Sequence, residues 1–395
     1  MKTSVRNSIC VIFLMIPITT IIQGLPFFDS VNKLIYGVLM MLLIYGLFQR
    51  MTQKGFIFLL CVSLSYIVAI LETDNGVTHI NDLFYFILLV LICIYFSNNL
   101  DGILEILLKN NYKLMRIIVN IWTIMILLTA MIPSCYKIEY GTSGNYRTFT
   151  SFSESGFRVA TAALLDLTIL ILCMRKERRK SDILHIAVTL FCGVACGSRT
   201  YLVLIGVLSI IALLFYSRSK KQFISFIFIG IIIMGIVIGK SSMLDKIKSA
   251  TYNENSYMDF WGTFSSGRSV FWEADLNAMK SQPLINKIFG KGFNFVYQVN
   301  LAAVGREIYA HNDFINLYLN FGFLGVAEYI YACQMLFSQV AKNRKVPFAI
   351  KILIWFIWFF NAMVNMYYTY ICAIVSFVLL VAIVCDRYKY NKEEI

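Results

Sequence analysis

Apolar runs of about fifteen to twenty-four residues recur along nearly the whole chain, each closed by a short polar or basic segment. About twenty apolar residues cross some 30 Å of hydrocarbon, so one run could be a buried core helix but a dozen in series need a membrane. Composition agrees. Of 395 residues, 59% are hydrophobic and 14% charged, whereas a soluble domain keeps roughly a quarter of its residues charged. The chain reads as an all-α, polytopic integral membrane protein with about twelve transmembrane helices.

The runs fall at 7–22, 31–48, 55–71, 83–97, 114–133, 157–174, 183–196, 201–216, 223–238, 314–337, 348–363 and 366–385. Lys2 and Arg6 precede the first with no small-residue cleavage site after it, which predicts a retained helix. Between two spans, residues 100–113 mix Ile103, Leu104, Leu107 and Leu108 with charges, the pattern of a helix lying on the inner surface.

The formal net charge of +13 invites a nucleic-acid reading, but the Lys and Arg residues gather in short runs between apolar segments, as in cytoplasmic loops. Setting the run from Arg175 to Lys180 inside, with Lys2, Arg6, Arg50, Lys54, Lys342, Arg344 and Lys345, puts both termini in the cytoplasm. Topology thus accounts for the basicity, and no nucleic-acid partner is implied. Of ten cysteines only Cys135 falls outside the membrane, which argues against a disulfide between outer loops. Cys192 and Cys196 lack a third ligand, and His79, His185 and His311 are scattered, so spacing implies no metal and no cofactor.

One excursion exceeds what joining two helices requires. It divides the chain into membrane helices over 1–238, an extracytoplasmic loop over 239–313, and closing helices with a cytoplasmic tail over 314–395. Inside it, Val270, Ala274 and Ala278 predict one face of a short helix lying against the membrane domain, with Arg268 near its positive N-terminal end. Gly290 and Gly292 could offer backbone N–H groups to phosphate, though an ordinary turn explains them better. His311 stands before Asn312 and Asp313, both good N-caps for the helix that follows. A histidine there is biased toward its neutral, proton-accepting form. The bland alternative is a histidine that only helps to cap.

Short outer segments should be poor in arginine, yet Arg147, Arg158 and Arg199 sit there. Arg199 lies in a tight hairpin between two spans, where a guanidinium has either an anionic partner or a route to the headgroups. Asp166 and Glu328 fall inside spans and are read as pairing with neighbouring helices or as functional carboxylates.

Taken in order, the segment from Arg147 to Phe157 containing Glu154, then Gly197-Ser198-Arg199-Thr200, Ser266-Gly267-Arg268 with Trp272, Gly290-Lys291-Gly292, and His311-Asn312-Asp313-Phe314 leading to Gly322-Phe323-Leu324-Gly325 resemble the O-antigen ligase and polymerase superfamily. The resemblance is closest to Wzy-type polymerases of O-antigen and capsular repeat units, and covers mainly residues 140–330. It implies a bacterial cytoplasmic-membrane glycosyltransferase acting on undecaprenyl-diphosphate-linked oligosaccharide as donor and acceptor, with membrane lipids around it and flippase and chain-length regulator proteins as partners. Under it, Arg268, His311 and Glu154 are the catalytic candidates, and Arg199, Arg147 and Arg158 the diphosphate-binding ones. Two other readings stay open: a ligase that transfers finished glycan, and a lipid or oligosaccharide transporter.

Overall fold

The computed structural model describes residues 2–74, 76–141, 144–217, 219–239 and 268–390. The first part of the long excursion, with Ser266 and Gly267 of the motif around Arg268, lies outside the described residues.

A helix forms at every apolar run: α1 (Lys2–Ile21), α2 (Phe28–Arg50), α3 (Gln53–Leu71), α4 (Ile80–Ser97), α6 (Tyr112–Ala130), α7 (Gly156–Lys176), α8 (Ser181–Ala195), α9 (Arg199–Tyr216), α10 (Lys220–Gly239), α14 (Asp313–Ala341), α15 (Phe348–Val364) and α16 (Ile371–Tyr390). By length and composition six of the described helices can cross a membrane: α1, α2, α3, α6, α7 and α16. A seventh span results if the bent pair covering Phe84–Ser97 and Gly102–Lys109 counts as one. The chain is a mostly helical, multi-pass membrane protein.

The shorter α5 (Leu100–Lys109) forms over the segment whose pattern suggests a surface helix. Its apolar face is nonetheless covered by protein, because Ile103, Leu104 and Leu107 are buried while Glu105 and Lys109 are exposed, and α1 and α7 pack against it.

Two compact units make up the chain. The first takes residues 1–42, 100–253 and 372–395 and is built around α7, which packs on α1, α6, α8 and α9. Ala160, Ala162 and Ala163 are fully buried there; small side chains let helices approach closely without a large void. Thr168 and Ser376 hydrogen-bond at 2.7 Å across α7 and α16, and Arg175 pairs with Asp386 near the ends of the same helices. A β-hairpin absent from the sequence reading, β1 (Tyr136–Gly141) and β2 (Gly144–Phe149), pairs Tyr136 with Phe149 and Ile138 with Arg147.

The second unit takes residues 43–99 and 254–371. Here α14 packs on α3, α4, α15 and the excursion helices α11 (Arg268–Lys280), α12 (Leu284–Phe289) and α13 (Phe295–Val304). α14 is broken at Gly322, whose φ is 67°. The break frees carbonyls, and the Gly290-Lys291-Gly292 turn uses them: Lys291 N–H donates to Leu319 O at 2.9 Å and Gly292 N–H to Asn320 O at 3.1 Å. Phe293 N–H continues to Thr73 Oγ1 at 3.0 Å. Those donors are spent on the protein, so the two glycines form the structural turn and not a phosphate cradle.

Candidate functional site

Arg268 and His311, distant in sequence, come together in the second unit. Arg268 opens α11, and its guanidinium donates to the carbonyl of Val364 at the end of α15. Asn312 grips the preceding carbonyl, with Nδ2 2.8 Å from Met363 O, while its Oδ1 accepts from Ile315 N–H at 3.1 Å as the N-cap of α14. A helix C-terminus presents unsatisfied carbonyls and partial negative charge, so it is a natural seat for an arginine. Both residues therefore dock on one helix end.

His311 directly precedes Asn312 and is half-buried, its ring 4.5 Å from that of Tyr309 and 6.3 Å from that of Phe271. Desolvation, reinforced by the positive charge of Arg268, pushes its pKa down to about 3. The neutral imidazole expected from the sequence is thus present, but its cause is burial beside a cation more than the helix end. Among the described residues no hydrogen bond engages its ring nitrogens. Its backbone is left-handed, with φ at 53°, a conformation that costs a non-glycine residue on the order of 1–3 kcal/mol.

The turn is held from several sides. Trp272 Nε1 donates to Ala310 O at 2.6 Å, and Ala310 N–H reaches Asn316 Oδ1 at 3.4 Å. Asn316 Nδ2 in turn donates to the Tyr368 hydroxyl at 2.6 Å. Asp313, fully buried, accepts from the Tyr329 hydroxyl and from Tyr368 N–H. Trp358 Nε1 completes the chain by donating to Tyr329 Oη at 3.1 Å.

α11 does not bury the face its sequence suggests. Val270 is exposed, and the inward residues are Asp275 and Met279, which lie on the side of Arg268 and Trp272. Met279 joins Val296, Tyr297, Ala310 and Leu319 in one apolar cluster. The indole N–H needs an acceptor and Met279 needs apolar neighbours, and together they outweigh the small Val270, Ala274 and Ala278 stripe.

The remaining candidates belong to the first unit. Gly156 opens α7 so close to Cys196 that a Cβ there would lie 2.6 Å from the Cys196 carbonyl oxygen. This packing joins the turn containing Glu154 and Arg158 to the turn containing Arg199. Arg199 starts α9 beneath the N-cap Ser198 and is half-buried, with interactions inside the protein. Arg158 donates to Ser153 O at 3.2 Å, and its charge reaches Asp29. Arg147 lies over the Tyr136 ring at 4.5 Å.

Glu154 is exposed, 3.9 Å from Lys137 Nζ, and like His311 is left-handed, with φ at 63°. The loop after α1 packs against it: Gly24 N–H bonds Phe152 O at 2.9 Å, and a Cβ on Gly24 would come within 2.4 Å of Glu154 Cγ. Only Phe27 and Ser151 share that backbone region among described non-glycine residues, so two of the four are candidates for chemistry. Of the two carboxylates that fall inside apolar runs, Glu328 accepts from Ser65 Oγ of α3 at 2.6 Å, whereas Asp166 finds no described partner.

Trp272, Asn316 and Tyr368 were given no role by the sequence reading. A usable signal existed for one of them: Asn312, Asn316 and Asn320 recur every fourth residue at the start of an otherwise apolar helix, which marks a polar stripe facing protein.

No curated protein matches the chain. Residues 183–330 match a protein-family model described as O-antigen ligase, a stretch that contains Arg199, Arg268 and His311 but ends short of Glu154, Arg147 and Arg158 on its N-terminal side.

Proposed function

We propose, from the match of residues 183–330 to the O-antigen ligase family model, a glycosyltransferase of the O-antigen ligase and polymerase superfamily that polymerises undecaprenyl-diphosphate-linked oligosaccharide repeat units. The reaction takes place at the outer face of the bacterial cytoplasmic membrane, with about twelve helices across it and both termini inside. One observation carries the reading: a histidine held neutral, with ring nitrogens unengaged by any described residue, beside an arginine docked on a helix end.

The chemistry follows from that pair. A hydroxyl of the acceptor sugar gives its proton to the His311 imidazole as its oxygen attacks the anomeric carbon of the donor. The bond from that carbon to the diphosphate breaks, negative charge gathers on the departing lipid diphosphate, and Arg268 meets it with fixed N–H donors. The proton on His311 can then pass to the diphosphate. Arg268 also links the two events. Burial, with Arg268's charge added to it, keeps the empty imidazole a weak base, and a bound diphosphate cancels the charge, raising the imidazole's proton affinity when the donor is present.

In the first unit, Arg199, Arg147 and Arg158, with Glu154, would serve the diphosphate of a lipid-linked substrate. Flippase and chain-length regulator proteins would supply and stop such an enzyme. The family model's description gives a specific reason to keep a second reading, transfer of finished glycan to a separate acceptor.

The test in cells replaces Arg268 by Gln and His311 by Ala. Both variants should reach the membrane in normal amount and leave single lipid-linked units exposed on the outer face, without long glycan. Glycan of normal length and amount from either variant sinks the assignment, and units stranded on the inner face would point to a transporter.

A further inference from the structure

The clamp on the peptide before His311 has no counterpart in the reaction as derived. Trp272 lies one helical turn after Arg268 on α11, so both side chains emerge on the same face. Its Nε1–H bonds the Ala310 carbonyl at 2.6 Å, and that carbonyl belongs to the peptide plane that sets φ of His311. On the other side of His311, Asn312 is fixed through Met363 O and Ile315 N–H. The peptide plane before His311 is therefore tied through its carbonyl, the side chain of the residue after it is anchored, and φ rests at 53°. A strained backbone of this kind persists only where its surroundings over-determine it. Ala310 itself is fully buried and its N–H is taken up by Asn316, so the residue cannot swing to relieve the strain.

We propose that Trp272 is a positioning residue, whose indole N–H holds the Ala310–His311 peptide and so fixes where the imidazole sits beside Arg268. The inference rests on the reading of His311 as the base, and it adds that α11 delivers two things at once, the cation through Arg268 and the orientation of the base through Trp272. An indole N–H out of water needs an acceptor wherever it packs, so what marks a positioning role is the acceptor it takes, the carbonyl next to His311. A positioning indole fails when the N–H is lost and the ring is kept.

The experiment uses the full-length protein in nanodiscs and two variants, Trp272→Phe and 3-benzothienylalanine at position 272, which has nearly the shape of tryptophan and no N–H. The second keeps the test open should the first accumulate poorly. Two quantities are measured: turnover of a lipid-diphosphate repeat unit, and the rate at which diethyl pyrocarbonate modifies His311, followed by peptide mass. His79, stacked on Tyr297, and His185, bonded to Thr123, are internal standards on the same molecule. In both variants kcat should fall about tenfold, the effect of roughly one lost hydrogen bond in the transition state, with KM unchanged. His311 should react several-fold faster relative to the two standards. An unchanged kcat, an unchanged His311 reactivity, or losses of kcat and KM that track a lowered melting temperature would each overturn the proposal. If His311→Ala retained full turnover, the assignment of the base would fail instead, and the reactivity of His311 alone would decide whether the clamp exists.

Discussion

His311 and Asp275 depart from ordinary ionisation in opposite senses, and each gives a measurable pH dependence. His311 has its pKa lowered to about 3 by burial and by Arg268. The folded protein then binds fewer protons than the unfolded chain between about pH 3 and 6.5, and this residue's share of stability is lost as pH falls through that window. For catalysis the base stays unprotonated down to well below the usual histidine range. A profile of kcat/KM against pH should show no acid limb near 6.5, and Arg268→Gln, by removing the cation, should move the limb upward in whatever activity remains. A wild-type limb near 6.5 would contradict the placement of the two groups. Asp275 is buried, and burial, only partly offset by neighbouring Asn300, raises its pKa to about 7. Here the folded state binds more protons than the unfolded chain between about pH 4 and 7, so stability falls as pH rises across that range. Asp275→Asn should melt higher than wild type at pH 8 and differ little at pH 4; the reverse order would show that Asp275 is ionised and paired.

Among the elements, the break in α14 is the one whose sequence cue was visible but whose purpose was not. Gly322 is left-handed, and a Cβ on it would lie 2.3 Å from the Ile288 carbonyl; the same construction on Gly290 meets Asn320 O at 2.2 Å. Each glycine fits the other segment's backbone, so α12 and α14 interlock. Gly322→Ala or Gly290→Ala should cost at least about 2 kcal/mol from the left-handed backbone and the forced separation, read as a drop in melting temperature of the purified protein. Helix positions were legible throughout, because a span's apolar length is written in consecutive residues. The buried face of α11 was not, since it depends on an indole finding Ala310 O and on Met279 finding a cluster built from three later segments. For the same reason the hairpin was missed: the alternation in residues 136–149 is short, and the pairing of Tyr136 with Phe149 is a non-local event. Arg268 and His311 could be picked out singly as an outer cation and a histidine before a helix. Their adjacency, and the shared docking at Val364 and Met363, required the fold.

For the whole molecule, the two units hold different candidate groups: a histidine beside an arginine in one, and three arginines with an exposed carboxylate in the other. An enzyme that lengthens glycan needs two lipid-linked substrates and no nucleotide sugar, and it should work on one purified compound alone. The measurement that tests this most directly is incubation of the purified protein in nanodiscs with a single lipid-diphosphate repeat unit, products separated by size and released lipid diphosphate counted. The account expects a ladder of products, one lipid diphosphate released per unit added, with both lost in His311→Ala. No ladder, and no lipid diphosphate released even when a separate glycan acceptor is supplied, would contradict it.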